Sequence, residues 1–366
     1  MVPGGIAMLI DSHAHIFPFL GSAAGFPSVA DHMRMLQLYM VGHGQPVRRQ
    51  DDHAIMPELG LARASADGPA PLADVGFHVE ENGRFVWQQD DAEVYMHFMP
   101  PSLQTNAAPP PFLLAQMAYV DVDVAVLQNA HLYGRLNEYF AAAIARYPGK
   151  FIGLAAVDEP HANDATEIRS LCAAVRELGL RGLYYANRGF FFTGYERHFD
   201  HPTYDVFWET VRELHIPVFW ELAGVPISNQ ENYLREIARL NAWAARYPDI
   251  PSILTHGISP TYLEGNIPEP LMQLMRNEQF SVEILYPIGW GRTHAYPYPE
   301  LRPALRVLYR WLGGQRLVWG SDMPNVERHC TYRQSLDYLD QFRDFIPASE
   351  MGQILGGNLA SLFSLA

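Results

Sequence analysis

Short apolar runs alternate with amphipathic helical patterns over most of the chain, and this alternation restricts the fold more than any other feature. Each run is almost continuously apolar, as expected of strands that are buried on both faces of a parallel sheet. Eight such runs lie at 7–10, 123–128, 151–157, 181–185, 216–220, 251–255, 280–284 and 316–319. Helical patterns follow at 137–147, 163–178, 204–214, 231–247, 268–277, 300–312 and 333–344. This order predicts an α/β fold, the closed (β/α)8 TIM barrel.

An open, doubly wound parallel sheet is the alternative architecture for the same alternation. It is less favoured because no Gly-rich phosphate-binding loop follows any of the strands. A chain of 366 residues that is 48% hydrophobic and 18% charged can bury a large core. We therefore expect one domain over residues 1–366.

The stretch from 17 to 119 departs from the alternation and is predicted to be an insertion between the first two barrel strands. It is rich in Pro, Gly and Ala, and a hairpin is expected near 77–87, where Asn82 and Gly83 supply the turn. Connections of this length are usually functional. We expect the insertion to cover the active-site face, and an ornamental or oligomer-forming insertion is the alternative.

The charge and cysteine content exclude several classes of function. The formal net charge is −14 and there is no basic run, which argues against nucleic acid and anionic membrane surfaces. The two cysteines, Cys172 and Cys330, are far apart, so a disulfide framework is excluded and a reducing compartment is expected. Neither a signal peptide nor an apolar stretch of bilayer length is found, and a cytoplasmic protein is expected.

Two histidines follow the first apolar run, in the motif Asp11-Ser12-His13-Ala14-His15. Residues at i and i+2 of a strand point the same way, so His13 and His15 can bind one metal ion together. Parallel-barrel enzymes carry their chemistry at the carboxyl ends of the strands. The short motif also fits two hydrogen-bonded surface histidines. The residues at the other strand ends distinguish this alternative from a metal site.

Three other strand ends carry candidate metal ligands. Glu221 follows the strand at 216–220, His256 follows the strand at 251–255, and Asp322 follows the strand at 316–319. Taken singly, each of these three residues could equally be a solvated side chain or part of a turn. Together with the two histidines they place nitrogen and carboxylate donors on one rim, which suits one Zn²⁺ ion, with Mn²⁺ or Fe²⁺ as alternatives.

The strand-end motifs and their order resemble a known family. The chain is similar to the amidohydrolase superfamily, and more closely to its amidohydrolase-related, aminocarboxymuconate-semialdehyde decarboxylase-like branch, over about 7–16 and 120–366. The motifs that carry the resemblance are His13-Ala-His15, Phe151-Ile-Gly-Leu-Ala-Ala-Val157, Ile216-Pro-Val218, Leu254-Thr-His256-Gly257 and Trp319-Gly-Ser-Asp322-Met-Pro324.

The resemblance implies a role for each of these residues. His13 and His15 match the paired metal ligands, and Asp322 matches the last-strand carboxylate that binds the metal and shuttles protons. His256 matches the histidine that acts as general acid or base. Glu221 stands where the family has histidine. A carboxylate can still bind a divalent ion, and it favours Mn²⁺ more than histidine does.

The resemblance implies a metal-dependent enzyme acting on a small-molecule carboxylate. The favoured reaction is non-oxidative decarboxylation of a small aromatic or unsaturated carboxylic acid, catalysed by a lyase. The alternative is a hydrolase of a C–C, lactone or amide bond, or a hydratase, because these reactions use the same ligands. A barrel that has lost its metal and serves as a binding module is a third reading. A homodimer is expected.

Candidate substrate contacts lie in the segments that follow two further strands. Arg188 and Arg292 are suited to bidentate recognition of a carboxylate. Phe191, Tyr195 and His294 are predicted to line the pocket of a ring-shaped substrate. The alternatives are solvated surface charges for the arginines and packing beneath the insertion for the rings.

Overall fold

A buried strand, β1 (Ile10–Ala14), lies near the start of the computed structural model, which describes residues 8–63, 71–226 and 228–365. Its polar residues Asp11, Ser12 and His13 are buried, so β1 carries polar side chains into the barrel. The strand was predicted at 7–10, and this range is wrong. The strand extends to Ala14 because Asp11 and Ala14 pair with the second barrel strand despite the polar sequence between them. Ala7 lies outside the described residues.

The segment between the first two barrel strands forms two helices and a small antiparallel sheet. Its elements are α1 (Val29–Val41), β2 (Val47–Arg49), β3 (His78–Val79), β4 (Arg84–Gln89), β5 (Ala92–His97) and α2 (Pro110–Val120). The strands are ordered β2-β5-β4-β3. Strands β3 and β4 pair across Asn82 and Gly83, whose φ angles of +56° and +78° make the turn, within the range of the predicted hairpin.

The rest of the chain alternates strands and helices as the sequence predicts. The elements are β6 (Val124–Leu127), α3 (Asn137–Arg146), β7 (Phe151–Ala155), α4 (Ala165–Arg176), β8 (Gly182–Ala186), α5 (Asp205–Glu213), β9 (Val218–Glu221), α6 (Gln230–Arg246), β10 (Ser252–Leu254), α7 (Glu269–Arg276), β11 (Phe280–Ile284), α8 (Tyr286–Trp290), α9 (Arg302–Leu312), β12 (Leu317–Trp319), α10 (Tyr332–Asp337), α11 (Ala348–Gly352) and α12 (Asn358–Leu362). The helix predicted at 333–344 is shorter, because a tighter turn replaces it over Tyr338–Phe342. Among these helices none is long and apolar enough to cross a membrane.

Eight parallel strands form one sheet in the order β1-β6-β7-β8-β9-β10-β11-β12. The sheet closes where β1 meets the residues that follow β12. The amide of Asp322 donates to the carbonyl of His13 at 2.8 Å, and the amide of His15 donates to the carbonyl of Met323 at 2.8 Å. The predicted (β/α)8 TIM barrel is confirmed, and the open sheet is excluded.

A cluster of buried tryptophans fixes β9 against its neighbouring helices. The ring of Trp220 on β9 lies 5.3 Å from that of Trp208 on α5 and 4.7 Å from that of Trp243 on α6, measured between centroids. All three side chains are fully buried. This packing sets the position of Glu221, the last residue of β9.

Candidate active site

A cavity of about 720 Å³ opens at the carboxyl ends of the barrel strands. The segment between β1 and β6 also contributes to its wall, through Tyr39, His43 and Phe98. Of the residues that the sequence nominates as ligands or acid–base groups, all five line this cavity: His13, His15, Glu221, His256 and Asp322.

His13 and His15 face each other through their Nε2 atoms, which lie 3.1 Å apart. The Nδ1 atom of His13 lies 2.9 Å from a carboxylate oxygen of Glu283, and that of His15 lies 2.9 Å from the carbonyl oxygen of Gln128. Because both partners only accept, each Nδ1 atom donates. In the neutral rings, each Nε2 lone pair therefore points at the other, an unfavourable arrangement unless a cation lies between them.

Asp322 places a further acceptor beside the Nε2 atoms of His13 and His15. Its Oδ1 atom lies 3.1 Å from Nε2 of His15 and 3.9 Å from Nε2 of His13. Donor atoms of His13, His256 and Asp322 also lie within 4.8 Å of one another. Atoms bound to one ion at about 2.1 Å are about 3.0–3.4 Å apart. The 3.1 Å separations of His15 from His13 and from Asp322 lie in this range, so these three residues fit one divalent cation. Their nitrogen and carboxylate donors suit Zn²⁺ or Mn²⁺.

At His13, His15 and Asp322 the pKa shifts favour the ionised form of Asp322 and the protonated form of His13, whereas burial lowers the pKa of His15. Burial alone would raise the pKa of Asp322, but the hydrogen bond with His15 and the charge of His13 hold it well below its usual range. Burial alone would lower the pKa of His13, but the charge and hydrogen bond of Glu283 raise it to about 9. Since a metal binds the neutral ring, a proton and an ion compete for His13.

Glu283 on β11 orients His13 and His256 through hydrogen bonds. It was not predicted as a site residue. Its carboxylate is fully buried and accepts four hydrogen bonds. The donors are the Ser12 hydroxyl at 3.0 Å, Gln128 Nε2 at 2.7 Å, His13 Nδ1 at 2.9 Å and the His256 amide at 3.0 Å. The signal that could have revealed it is an acidic residue within a mostly apolar strand.

The backbone at two of these residues is strained. His256 and Asp322 adopt φ angles of +58° and +62°, in the left-handed region that such residues rarely occupy. Gly257 follows with φ of +70°, and a Cβ there would lie 2.5 Å from the carbonyl oxygen of Glu283. Strain of this kind costs about 1–3 kcal/mol per residue and concentrates at functional sites.

Asn325 holds Asp322 and Tyr133 in place through hydrogen bonds. Neither Asn325 nor Tyr133 was predicted as a site residue. The Asn325 side-chain amide donates to Asp322 Oδ1 at 2.8 Å and to the Tyr133 hydroxyl. The Tyr133 ring packs on His15 with centroids 4.3 Å apart. No local pattern distinguishes these two residues from ordinary loop residues, because their roles arise from contacts between distant parts of the chain.

The structure does not bring Glu221 into the cluster. Its Oε2 atom accepts from the Tyr184 hydroxyl at 2.6 Å and from the Tyr39 hydroxyl at 3.4 Å. Its Oε1 atom lies 4.0 Å from Nε of Arg188. Glu221 therefore faces two phenols and a guanidinium across the cavity wall. Its role as a ligand stays a prediction from the sequence, and these contacts favour the alternative that it does not bind the metal.

A Glu221→Gln variant is expected to keep its metal, with a Kd for Mn²⁺ within about twofold of the unmodified protein, a small free-energy change. The reason is that glutamine still accepts from Tyr184, while the charge that it removes faces Arg188. Metal analysis after dialysis and a Mn²⁺ titration measure the effect. Asp322→Asn, which changes a member of the cluster, is the control and is expected to lose metal. Metal loss in Glu221→Gln as well would give Glu221 the ligand role.

Two of the five predicted substrate contacts line the cavity and three do not. Arg188 and Arg292 line the cavity, whereas Phe191, Tyr195 and His294 are absent from its lining. Phe191, in the 3₁₀ turn after β8, and Tyr195, just beyond that turn, both pack against the hydrophobic core. His294 stacks on Trp290, with ring centroids 4.2 Å apart.

His43, at the cavity wall, is expected to make stability depend on pH. Burial and then the charges of Arg328, Arg188 and Arg292 lower the pKa of His43 to about 3, while Asp322 acts in the opposite direction. The unfolded chain takes up a proton near pH 6.5, but the folded protein does not do so until about pH 3. This residue's contribution to stability is therefore complete above pH 6.5 and is lost as the pH falls towards 3.

Urea unfolding at pH 4.5 and pH 7 measures this dependence. His43→Phe keeps an aromatic ring but cannot titrate, so its free energy of unfolding should fall less on acidification than that of the unmodified protein. His215→Phe, at an exposed position, is the matched control. An equal fall in all three proteins would contradict the expected ionisation of His43.

Comparisons with known proteins agree with this geometry. The model of the amidohydrolase family matches residues 10–365. The L-fucono-1,5-lactonase of Burkholderia ambifaria is 27% identical over 138 residues, which are 36% of this chain. The match spans about half of that relative, 47% of its length.

Two solved structures share the fold. One is a probable 2-pyrone-4,6-dicarboxylic acid hydrolase from Acinetobacter baumannii, with a TM-score of 0.54 and 17% identity, covering 71% of this chain and 90% of the other. The second is a dihydroxybenzoic acid decarboxylase from Polaromonas with bound manganese, with a TM-score of 0.52 and 18% identity, covering 69% and 85%. Since the family model spans nearly the whole chain, this protein belongs to the amidohydrolase family and is an enzyme.

Proposed function

We propose that the protein is a metal-dependent decarboxylase of a small aromatic or unsaturated carboxylic acid. The observation that carries the proposal is the composition of one cavity wall, which combines the convergent acceptors of His13, His15 and Asp322 with arginines and many aromatic rings. The rings that line the cavity are Tyr39, Phe98, Tyr133, Tyr184, Tyr233, Tyr262, Tyr286 and Trp290. Such a wall suits a flat, acidic molecule.

The chain's own groups can carry out each part of this reaction. His13, His15 and Asp322 would hold a divalent ion, which would supply a Lewis acid for the oxygen atoms of the substrate. Arg188 binds the acid, and the aromatic wall limits the access of water. The side chain of His256 is exposed to the cavity, and its Nδ1 atom lies 3.4 Å from the Thr255 hydroxyl. His256 therefore delivers a proton to the carbon from which carbon dioxide leaves.

The segment 17–119 belongs to this proposal as a cover over the cavity. Tyr39 comes from α1, His43 from the turn after it, and Phe98 follows β5. These side chains close one wall that the barrel strands leave open. Covering the site strengthens its electrostatic interactions, because water is removed from around the charges.

The proposal is tested by carbon dioxide release from a panel of acids. Protein equilibrated with Mn²⁺ or with Zn²⁺ is incubated with benzoic acids that carry neighbouring hydroxyl groups, 2,6-dihydroxybenzoate among them. We expect release from at least one acid, and its abolition by a chelator and recovery on adding the metal back. Lactone hydrolysis without carbon dioxide release from any acid would replace the proposal with its alternative.

Hydrolysis is the second candidate, because the curated relative is a lactonase and His256 can equally take a proton from water. The bond broken would be that of a lactone, with C–C and amide bonds as further possibilities, and hydration belongs to the same chemistry. A pH indicator assay with L-fucono-1,5-lactone detects the acid produced. Measuring both reactions on one preparation distinguishes the lyase from the hydrolase.

A further inference from the structure

The small antiparallel sheet β2–β5 has two different faces. Phe85, Trp87 and Met96 belong to one face, which is fully buried in the hydrophobic core. Side chains alternate between the faces along a strand, so Arg84 on β4 and Tyr95 on β5 lie on the opposite face. Neither of these two residues lines the cavity at the strand ends. The second face of the sheet therefore lies apart from the candidate active site.

Four basic side chains gather around the Tyr95 ring on this second face. Arg48 on β2 lies directly opposite Tyr95 in the register of the two strands, so their side chains are neighbours. The Arg84 guanidinium lies 4.5 Å from the centre of the Tyr95 ring, and the centre of the His97 ring lies 5.1 Å from it. The Tyr95 hydroxyl lies 3.2 Å from Nδ1 of His53. We call Arg48, His53, Arg84 and His97 the basic face.

The two arginines of the basic face have no carboxylate beside them. Within residues 8–63, 71–226 and 228–365, no carboxylate oxygen lies within 4.0 Å of the guanidinium of Arg48 or Arg84. The next residue along β2, Arg49, does pair with a carboxylate, that of Asp51. The Arg48 guanidinium makes one hydrogen bond, to the carbonyl oxygen of His53 at 3.0 Å. Most of its donors are therefore unused in this part of the structure.

Arg84 and His97 also keep unused donors. Nε of Arg84 donates to Nε2 of His97 at 3.4 Å, so in the neutral ring the proton of His97 is on Nδ1. Nη1 of Arg84 donates to Gln50 at 3.2 Å, and Gln50 donates in turn to Glu80 at 3.1 Å. The carboxylate of Glu80 thus reaches Arg84 only through a neutral amide. Nη2 of Arg84 and Nδ1 of His97 have no hydrogen-bond partner among the described residues.

The positive charges of the basic face act on one another. Burial lowers the pKa of His97, and the charges of Arg84, Arg48 and His53 lower it further. Like charges held together at a partly buried surface repel one another, and an anion between them relieves this repulsion. Arginine presents its N–H groups in a fork that matches the oxygen atoms of phosphate and carboxylate groups.

The rest of the chain restricts the kind of anion that fits. The formal net charge is −14, so nucleic acid and anionic membranes are repelled by the molecule as a whole. A small ion that reaches only the basic face escapes most of this repulsion, because charges beyond about 10 Å are screened by salt. Arg48, Arg84 and His97 approach from three different strands, which suits a tetrahedral ion with several oxygen atoms.

We propose that the basic face binds a small oxyanion of the phosphate type, at a site separate from the cavity and independent of the proposed function. The anion bridges β2, β4 and β5 through Arg48, Arg84 and His97. The turn that carries His43 precedes β2, and Phe98 follows β5 directly. Because both residues line the cavity, the anion stabilises the sheet that supports part of the cavity wall.

Calorimetric titration with sodium phosphate tests the proposal, at an ionic strength that sodium chloride keeps constant. We expect Arg48→Gln and Arg84→Gln each to raise the Kd for phosphate by about 10-fold, the effect of one hydrogen bond between charged groups. Arg49→Gln is the matched control, because it removes the same charge from the same strand but from an arginine that Asp51 already pairs. It should leave the Kd within about twofold.

Hydrogen exchange locates the site. Saturating phosphate is expected to slow the exchange of the amides in β2 and β5 relative to chloride, and Arg48→Gln should abolish this protection. Thermal unfolding in chloride verifies that each variant is folded. If Arg84→Gln does not fold, Arg48→Gln and Arg49→Gln still give the comparison.

Three results would overturn the proposal. The first is the absence of phosphate binding to the unmodified protein. The second is an equal loss of affinity in Arg48→Gln and Arg49→Gln, which would mean that net charge alone attracts the ion. The third is a loss of binding in Arg292→Gln while Arg48→Gln binds normally, because Arg292 lines the cavity and the ion would then lie there.

Discussion

His256→Asn is expected to lower kcat/KM by about 10²–10⁴-fold while the protein keeps its metal, because a positioned proton-transfer group contributes a factor of this size. Asparagine suits the position, since it tolerates the left-handed backbone, with φ of +58°, better than alanine does. The backbone amide that donates to Glu283 is also kept. Steady-state kinetics on the acid that loses carbon dioxide, together with metal analysis, measure both effects.

The control for this substitution is His215→Asn. His215 is exposed and also adopts a positive φ, of +52°, so the same change is made on the same backbone conformation away from the cavity. Its kinetics should match those of the unmodified protein. Full activity in His256→Asn would exclude His256 as the proton-transfer group. Loss of metal in that variant would instead make it a ligand.

Glu283→Gln is expected to destabilise the folded protein by about 3–5 kcal/mol, since it breaks a buried interaction between charged groups. All four neighbours of the carboxylate donate hydrogen bonds, two to each oxygen. In Glu283→Gln, the NH₂ group of the glutamine would replace one of these oxygens. It would then face two hydrogen-bond donors with no acceptor between them. The backbone amide of His256 cannot rotate to relieve this, and His13 would have to change its tautomer. Metal affinity is expected to fall by about 10–100-fold, as for other groups that orient ligands.

Glu159→Gln is the matched control, because Glu159 is equally buried but meets few donors. Its Oε1 atom accepts from the Ala186 amide at 3.2 Å, and its Oε2 atom has no hydrogen bond but lies 3.3 Å from Nδ1 of His131. Burial raises the pKa of Glu159 well above its usual range, which favours the neutral acid that glutamine resembles. Urea unfolding and Mn²⁺ titration compare the two variants. Equal stability losses would mean that burial alone, and not the four donors, explains the effect at Glu283.

The barrel was predictable because its signals are local. Strands β6 to β12 lie within a few residues of the predicted ranges, since a continuous apolar run and the helix after it are visible in a short window. The rule that strands of a parallel barrel end on the same face then brings His13, His256 and Asp322 to one cavity. The start of β1 was misplaced because its buried residues are polar, and a hydrophobic pattern cannot identify such a strand.

The contacts that orient the site could not be predicted, because they join distant parts of the chain. Glu283 contacts His13 across 270 residues, and no window of sequence contains both. Glu221 ends β9 as predicted, but its direction depends on Tyr184 and Arg188, which come with β8. The small sheet β2–β5 lacks a clear pattern because its strands have only two to six residues.

The barrel closes where β1 meets the residues that follow β12, and this closure must come late in the folding of a newly made chain. His15 and Asp322, whose side chains meet at 3.1 Å, are 307 residues apart, and their backbones carry the hydrogen bonds that join the first strand to the end of the last. A growing chain on the ribosome therefore cannot assemble this site until nearly all of these residues have been synthesised. An ion that binds here stabilises only the closed barrel. Binding of an ion at these residues would thus be a late event in biogenesis.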